Sequence, residues 1–286
     1  MPKAPSVWTV LSMLEWATDF FEDKHVKSPR MSIEWLLADV LDVKRLDLYL
    51  IYDRPLSSEE LDILRPLVKR RAAHEPLQYI TGHTDFHNVK IIVEPGVLIP
   101  RQETEEMVAW ILELYPEDSE LSVLDIGTGS GCIPVALKKS QPNWKVFATD
   151  ISENALSIAK KNAARNKVDI HFAKDDLFKP AAFQDQKFDL IISNPPYILH
   201  NEKSSLDKEV KNYEPTEALF CESTQKMYGA LEKLSSSLLH SEGTVFLELH
   251  EKYAEEVLNL FAERSWTAEL RKDYGQKPRF LKARKA

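Results

Sequence analysis

Apolar residues in the first quarter of the chain recur roughly every three to four positions, the spacing that gives a helix one buried face. They do so over residues 6–23, and again over 32–41, where Ile33, Leu36, Leu37, Val40 and Leu41 share a side. Ser57 and Glu60 have the spacing of a capping box opening a third helix, in which Pro66, lacking an N–H, predicts a kink or restart before Arg71. Residues 1–75 thus predict a helical bundle, with Trp8, Trp16, Phe20, Phe21 and Trp35 assigned to its core in preference to a partner surface. The pattern then changes: 79–82, 84–86 and 89–93 favour strands around a His87-Asn88 turn, which predicts a β-hairpin linker spanning 76–98.

Beyond Pro95 and Gly96 the two periods alternate. Strands are expected at 122–126, 145–150, 168–173, 188–193, 244–249, 266–270 and 279–283. Helices are expected at 104–115, 132–139, 152–165, before His240, and at 251–264. Continuous apolar strands such as Val123-Leu124-Asp125-Ile126, separated by amphipathic helices, predict a doubly wound α/β domain over 99–286 with a mostly parallel seven-stranded sheet.

A length of 286 residues accommodates two domains, and 43% hydrophobic with 29% charged residues excludes a disordered or fibrous chain. The formal charge of −8 disfavours nucleic acid as substrate, although Arg271, Lys272, Lys277, Arg279, Lys282, Arg284 and Lys285 near the C-terminus leave an acidic partner such as RNA as the alternative to a solvated strand. Cys132 and Cys221 form no disulfide framework, and no signal peptide or membrane span is recognisable, so a cytoplasmic protein is expected; a monomer is a separate expectation. His83 and His87 have helical metal spacing but fall in the expected hairpin without a third ligand, so no metal site is expected. No Gly-x-Ser-x-Gly elbow supports acyl chemistry.

The chemistry concentrates at two loops. After strand 122–126 comes Gly127-Thr128-Gly129-Ser130-Gly131, then a helix. A phosphate-cradling P-loop would need a lysine after the last glycine, and the dinucleotide fingerprint would need glycine at position 132, which is cysteine. Instead, Asp125 precedes the loop, placed to orient it or to accept from a ligand ammonium through water. Asp150 ends the next strand, where a carboxylate can hold both ribose hydroxyls. This suits a nucleoside carrying an amino acid, and it resembles the S-adenosylmethionine site of class I methyltransferases. That resemblance implies adenine contacts from Asp176 and Leu177, with Asp175 as the substitute for Asp176.

The second loop, Asn194-Pro195-Pro196-Tyr197, follows strand 188–193. Two prolines remove backbone donors and leave acceptors, so a substrate there must bring N–H groups. The Asn194 side-chain oxygen and the Pro195 carbonyl can each take one hydrogen of a planar NH2, with Tyr197 as a wall of the transfer site. Adenine and an amide both satisfy this pattern.

Two further segments choose between them. Glu75-Pro76-Leu77-Gln78-Tyr79-Ile80-Thr81-Gly82 and Leu98-Ile99-Pro100-Arg101-Gln102-Glu103-Thr104-Glu105, together with both loops and Ser28-Pro29-Arg30 before Leu36-Leu37, resemble the HemK, or PrmC, family of protein N5-glutamine methyltransferases. The resemblance implies methyl transfer from S-adenosylmethionine to the glutamine of the Gly-Gly-Gln motif of class-1 peptide chain release factors. It also implies an N-terminal bundle that grips that partner. It departs after Phe220, where Cys221-Glu222-Ser223-Thr224-Gln225 replace a glycine-rich segment. Arg101 is a candidate contact for a cofactor carboxylate or substrate, or else an ion-pair partner of Glu105. The runners-up are an adenine-N6 methyltransferase acting on DNA or RNA, and a cofactor-binding scaffold without turnover.

Overall fold

The computed structural model describes residues 7–116 and 119–285. It divides into two units: one runs to Gly82 and also takes in Asp207–Tyr213, while the other comprises His83–Leu206 and the chain from Glu214 onward.

The first unit is a helical bundle of α1 (Val10–Asp23), α2 (Pro29–Leu41), α3 (Ser58–Ala72) and α4 (Leu77–Thr81), with a short 3-10 turn at Arg45–Leu50. Helix α1 begins at Val10 because Thr9 and Ser12 cap each other reciprocally, and Ser6, the expected start, lies outside the described residues. Ser57 and Glu60 form the expected box at the start of α3. Pro66 does not break that helix: it runs unbroken to Ala72, with buried Leu61, Leu64 and Val68 on both sides of the proline offsetting one missing hydrogen bond. Residues 79–82 are likewise not a strand. Pro76 starts α4, Gly82 ends it at φ +76°, and Tyr79 and Ile80 are buried. The hairpin is therefore shorter than expected. Buried Arg71 joins Ser32 Oγ (3.0 Å), the Lys27 and Glu75 carbonyls and Glu209 (2.9 Å), tying the returning segment into the bundle.

The second unit opens with a hairpin of β1 (His83–Phe86) and β2 (Val89–Ile92), followed by α5 (Gln102–Leu114). The α/β alternation continues through β3 (Ser122–Ile126), α6 (Cys132–Ser140), β4 (Lys145–Asp150), α7 (Glu153–Asn166), β5 (His171–Lys174) and β6 (Phe188–Ser193). A two-residue strand β7 (Ile198–Leu199) precedes α8 (Lys208–Tyr213), which belongs to the first unit. Then come α9 (Thr216–Leu219), β8 (Phe220–Cys221), α10 (Thr224–Leu238), β9 (Leu239–Glu248), α11 (Ala254–Ala262), β10 (Trp266–Lys272) and β11 (Pro278–Lys285). The seven-stranded sheet has the order β10-β11-β9-β6-β3-β4-β5, parallel from β9 to β5 and antiparallel at β11. Leu124, Ile191, Val245 and Leu247 from its centre pack with Leu231, Leu260 and Phe261 from the helices. The fold is the doubly wound α/β class expected, with β9 starting five residues earlier because it pairs with Phe188 directly after α10. No helix among the described residues is long and apolar enough to cross a membrane.

Candidate active site

Strand order reverses between β3 and β6, and their carboxyl ends open into a cavity of about 770 Å³. The loop after β3 forms one wall. Gly131 stands at φ +77°, and a Cβ there would lie 2.9 Å from the Ala159 Cβ, so only glycine lets the loop pack on α7. A Cβ at Gly127 or Gly129 would meet nothing within 4 Å, which leaves room above the loop for a ligand. Asn162, a residue the sequence reading passed over, holds the loop from behind: its Nδ2 donates to the Ser130 carbonyl (2.9 Å) and its Oδ1 accepts from Ile92 N (2.6 Å).

Asp150 lies in the cavity wall and braces the loop, accepting from Gly129 N (2.8 Å) and Ser152 N (2.9 Å). Each oxygen keeps a lone pair for a ligand hydroxyl. Burial raises its pKa, partly offset by these backbone donors. Asp175, Asp176 and Leu177 line the same cavity; Asp176 accepts from Phe178 N and Asp175 from Ala181 N, so both carboxylates are held in place. Ser130 and Thr128 line it too, whereas Asp125 does not reach the wall. It is fully buried beneath the loop, and neither of its oxygens nor the Thr128 hydroxyl has a hydrogen bond of good geometry. Burial pushes the Asp125 carboxyl up to about 7, opposed by the nearby Thr128 hydroxyl and reinforced by Asp150.

Asn194, Pro195 and Pro196, which follow β6, line the same cavity. Asn194 Nδ2 donates to Thr104 Oγ1 (3.0 Å), and Thr104 Oγ1 donates to Glu248 Oε2 (2.7 Å). The Asn194 side-chain oxygen and the Pro195 carbonyl accept no hydrogen bond among the described residues, so two acceptors remain for a substrate. Tyr197 departs from expectation. It does not line the cavity, because its ring packs against the sheet core and its hydroxyl donates to Glu248 Oε1 (3.1 Å), and burial raises its pKa. Thr104 and Glu248 were not singled out in the sequence. Glu248 could have been: an acid ending the apolar run of β9 at the carboxyl edge of the sheet is out of place unless it is used. Its burial pushes it up to about 7, against hydrogen bonds from Thr104 and Tyr197.

Arg101 also lines the cavity, but it does not pair with Glu105. Its Nη2 donates to both oxygens of buried Glu214, at 2.6 and 2.7 Å, while Glu105 accepts from His87 N. Cys132 and Cys221 are free, buried thiols beside the cavity, and burial pushes Cys132 up to about 12.

Orphaned polar atoms under a glycine loop, open space over that loop, and a braced carboxylate at the end of β4 fit a nucleoside with an amino-acid tail. Together with the sheet order they define a class I S-adenosylmethionine-dependent methyltransferase. Residues 12–82 match the family model described as the PrmC N-terminal domain, and residues 88–215 the methyltransferase small domain. The release factor glutamine methyltransferase of Geobacter sulfurreducens is 40% identical over 263 residues, covering 92% of this chain and 91% of that protein. That of Chlorobaculum tepidum is 38% identical over 286 residues, covering 96% and 97%. The chain belongs to the release factor glutamine methyltransferase family. Among solved structures, the 16S rRNA N2 G1207 methyltransferase of Thermus thermophilus, in complex with AdoMet and guanosine, matches with a TM-score of 0.53 at 17% identity over 71% of this chain and 50% of that one. A Pyrococcus furiosus methyltransferase matches at 0.50 and 19% over 68% and 88%. These two show the fold alone.

Proposed function

We propose that this chain transfers a methyl group from S-adenosylmethionine to the side-chain amide nitrogen of the glutamine in the Gly-Gly-Gln motif of class-1 peptide chain release factors. One observation carries the reading: two unpaired acceptors, the Asn194 side-chain oxygen and the Pro195 carbonyl, belong to residues that line the same cavity as the glycine loop and Asp150. The cofactor, when bound, supplies an electrophilic methyl on a sulfonium that leaves without acid assistance. Asp150 would hold its ribose, Asp175 or Asp176 with Leu177 its adenine, and the Gly127–Gly131 loop with Thr128 and Ser130 its amino-acid end. Asp125 acts from beneath, through the loop. Asn194 and Pro195 hold the two amide hydrogens, drawing the nitrogen lone pair out of conjugation and toward the methyl, while Pro196 keeps the loop rigid. Tyr197 acts behind Asn194, through Glu248. Arg101 positions the 214–223 segment through Glu214 and offers its remaining donors to the substrate.

The helical unit is the part we assign to gripping the release factor. A formal charge of −8 and family membership support a protein over a nucleic-acid substrate, and free buried thiols support a cytoplasmic setting. We further assign a monomer, which sedimentation of the purified protein would check. Incubating the protein with S-adenosylmethionine and a folded class-1 release factor should add one methyl group to the Gly-Gly-Gln peptide, located by fragment-ion mass spectrometry. An unmodified peptide, with label entering nucleic acid instead, would overturn the reading in favour of adenine.

A further inference from the structure

An asparagine amide has one end that donates and one that accepts, and only the accepting end suits a substrate NH2. The choice is made one residue deeper. Ionised Glu248 has no hydrogen to give, so the Thr104 hydroxyl, 2.7 Å from Oε2, must spend its only hydrogen there. Thr104 Oγ1 is then purely an acceptor toward Asn194, and it is satisfied only by Nδ2 at 3.0 Å. The Asn194 oxygen is thereby turned to the cavity. We propose that Glu248, acting through Thr104, is a positioning residue that sets the polarity of the Asn194 amide and so makes the site accept an N–H donor.

A proton on Glu248 undoes this. Two hydroxyls, Thr104 and Tyr197, depend on the carboxylate as acceptor. Once it is protonated, one of them holds a hydrogen with nowhere to go, and on the Thr104 side the remedy is to flip Asn194 so that its oxygen accepts and its NH2 faces the substrate NH2. Groups facing Glu248 are Glu103 from α5, Cys132 from α6, Tyr197 from the loop after β6, Tyr228 from α10 and Arg279 from β11. Arg279 favours the ionised form, but burial outweighs it and the acid titrates near neutrality.

The inference rests on the proposed amide substrate, so wild-type methylation of the release factor is the control that tests that reading by itself. With it in hand, Asn194→Ala sets the ceiling, about a hundredfold loss in kcat. Thr104→Val should lower kcat by about ten- to a hundredfold with KM for the release factor nearly unchanged, and Thr104→Ser should recover most of it. In wild type at saturating cofactor, kcat/KM should fall below about pH 7, and in Glu248→Gln this acid limb should disappear on a reduced plateau. Calorimetric affinity for S-adenosylmethionine should stay within about twofold throughout. A Thr104→Val enzyme with wild-type kcat, an acid limb that persists in Glu248→Gln, or cofactor affinity that falls in step with kcat would each overturn the proposal.

Discussion

Asp125 offers a direct measurement of what the cofactor loop costs the fold. The carboxyl is fully buried, has no well-formed hydrogen bond, and is pushed from an ordinary 3.8 up to about 7 by burial first. Because the folded protein holds this proton over a range where the unfolded chain has released it, stability must fall as pH rises from about 4 to 7 and then level off. At about 1.4 kcal/mol per unit the full effect is about 4 kcal/mol, of which about 3 kcal/mol falls between pH 5 and 7. Asp125→Asn removes the ionisation at constant shape. The variant should therefore gain on wild type as pH rises, by about 6 to 12 °C in melting temperature between pH 5 and pH 8 without cofactor. Glu248 has a slope of the same sign but is present in both proteins, so the difference isolates Asp125. The assay is differential scanning fluorimetry at matched ionic strength. Adding S-adenosylmethionine at pH 8 should close the gap, since its two cationic groups favour the ionised carboxyl. Parallel pH curves for the two proteins would refute the argument, since they would mean that Asp125 is already paired or solvated.

Asp150→Ala should cost about 1.5 to 3 kcal/mol of cofactor affinity, about ten- to more than a hundredfold by calorimetry, and unchanged affinity in the folded variant would remove the ribose role. Arg101→Ala removes the guanidinium that neutralises the buried Glu214 carboxylate and should destabilise the protein by about 2 to 4 kcal/mol in urea, whereas the double variant with Glu214→Ala should lose less than the single one. If the double variant is the less stable of the two, the pair does not act as a unit.

Much of the frame was legible in the sequence because it depends on local signals. Strands β3, β4 and β6 occupy the expected residues, since each is a buried run bounded by a glycine turn, a helix cap or a proline. Their carboxyl ends bring the glycine loop, Asp150 and Asn194 to one cavity, as the chain order requires. The errors came where partners distant in sequence decide. Residues 79–82 have strand-forming side chains, yet burial of Tyr79 and Ile80 in the bundle makes them helical. Pro66 should interrupt a helix on local grounds, yet buried neighbours on both sides carry the helix through it. Arg101 has Glu105 at ideal helical spacing but finds Glu214, 113 positions away, because a fully buried carboxylate has more to gain from the guanidinium than a half-buried one that already accepts from His87 N.

The same distinction separates the groups meant to face substrate from those that orient them. Asn194 sits in a four-residue string that carries a local signal of its own: an amide, two prolines without backbone donors, a rigid turn. Its polarity is not in that string. It depends on a threonine 90 positions earlier and a glutamate 54 positions later, which only the sheet order brings together. Tyr197 illustrates the consequence. Read within the string it is a wall for the substrate; placed by the fold, it donates to Glu248 and helps keep that acid an acceptor. A site that must hold an N–H donor needs its acceptors fixed from behind, and the groups that fix them have to be buried, where an unpaired alternative would be costly. Buried polar residues at the carboxyl edge of a parallel sheet, with no packing reason to be there, are accordingly the signal by which such a relay can be sought in a sequence before its partners are known.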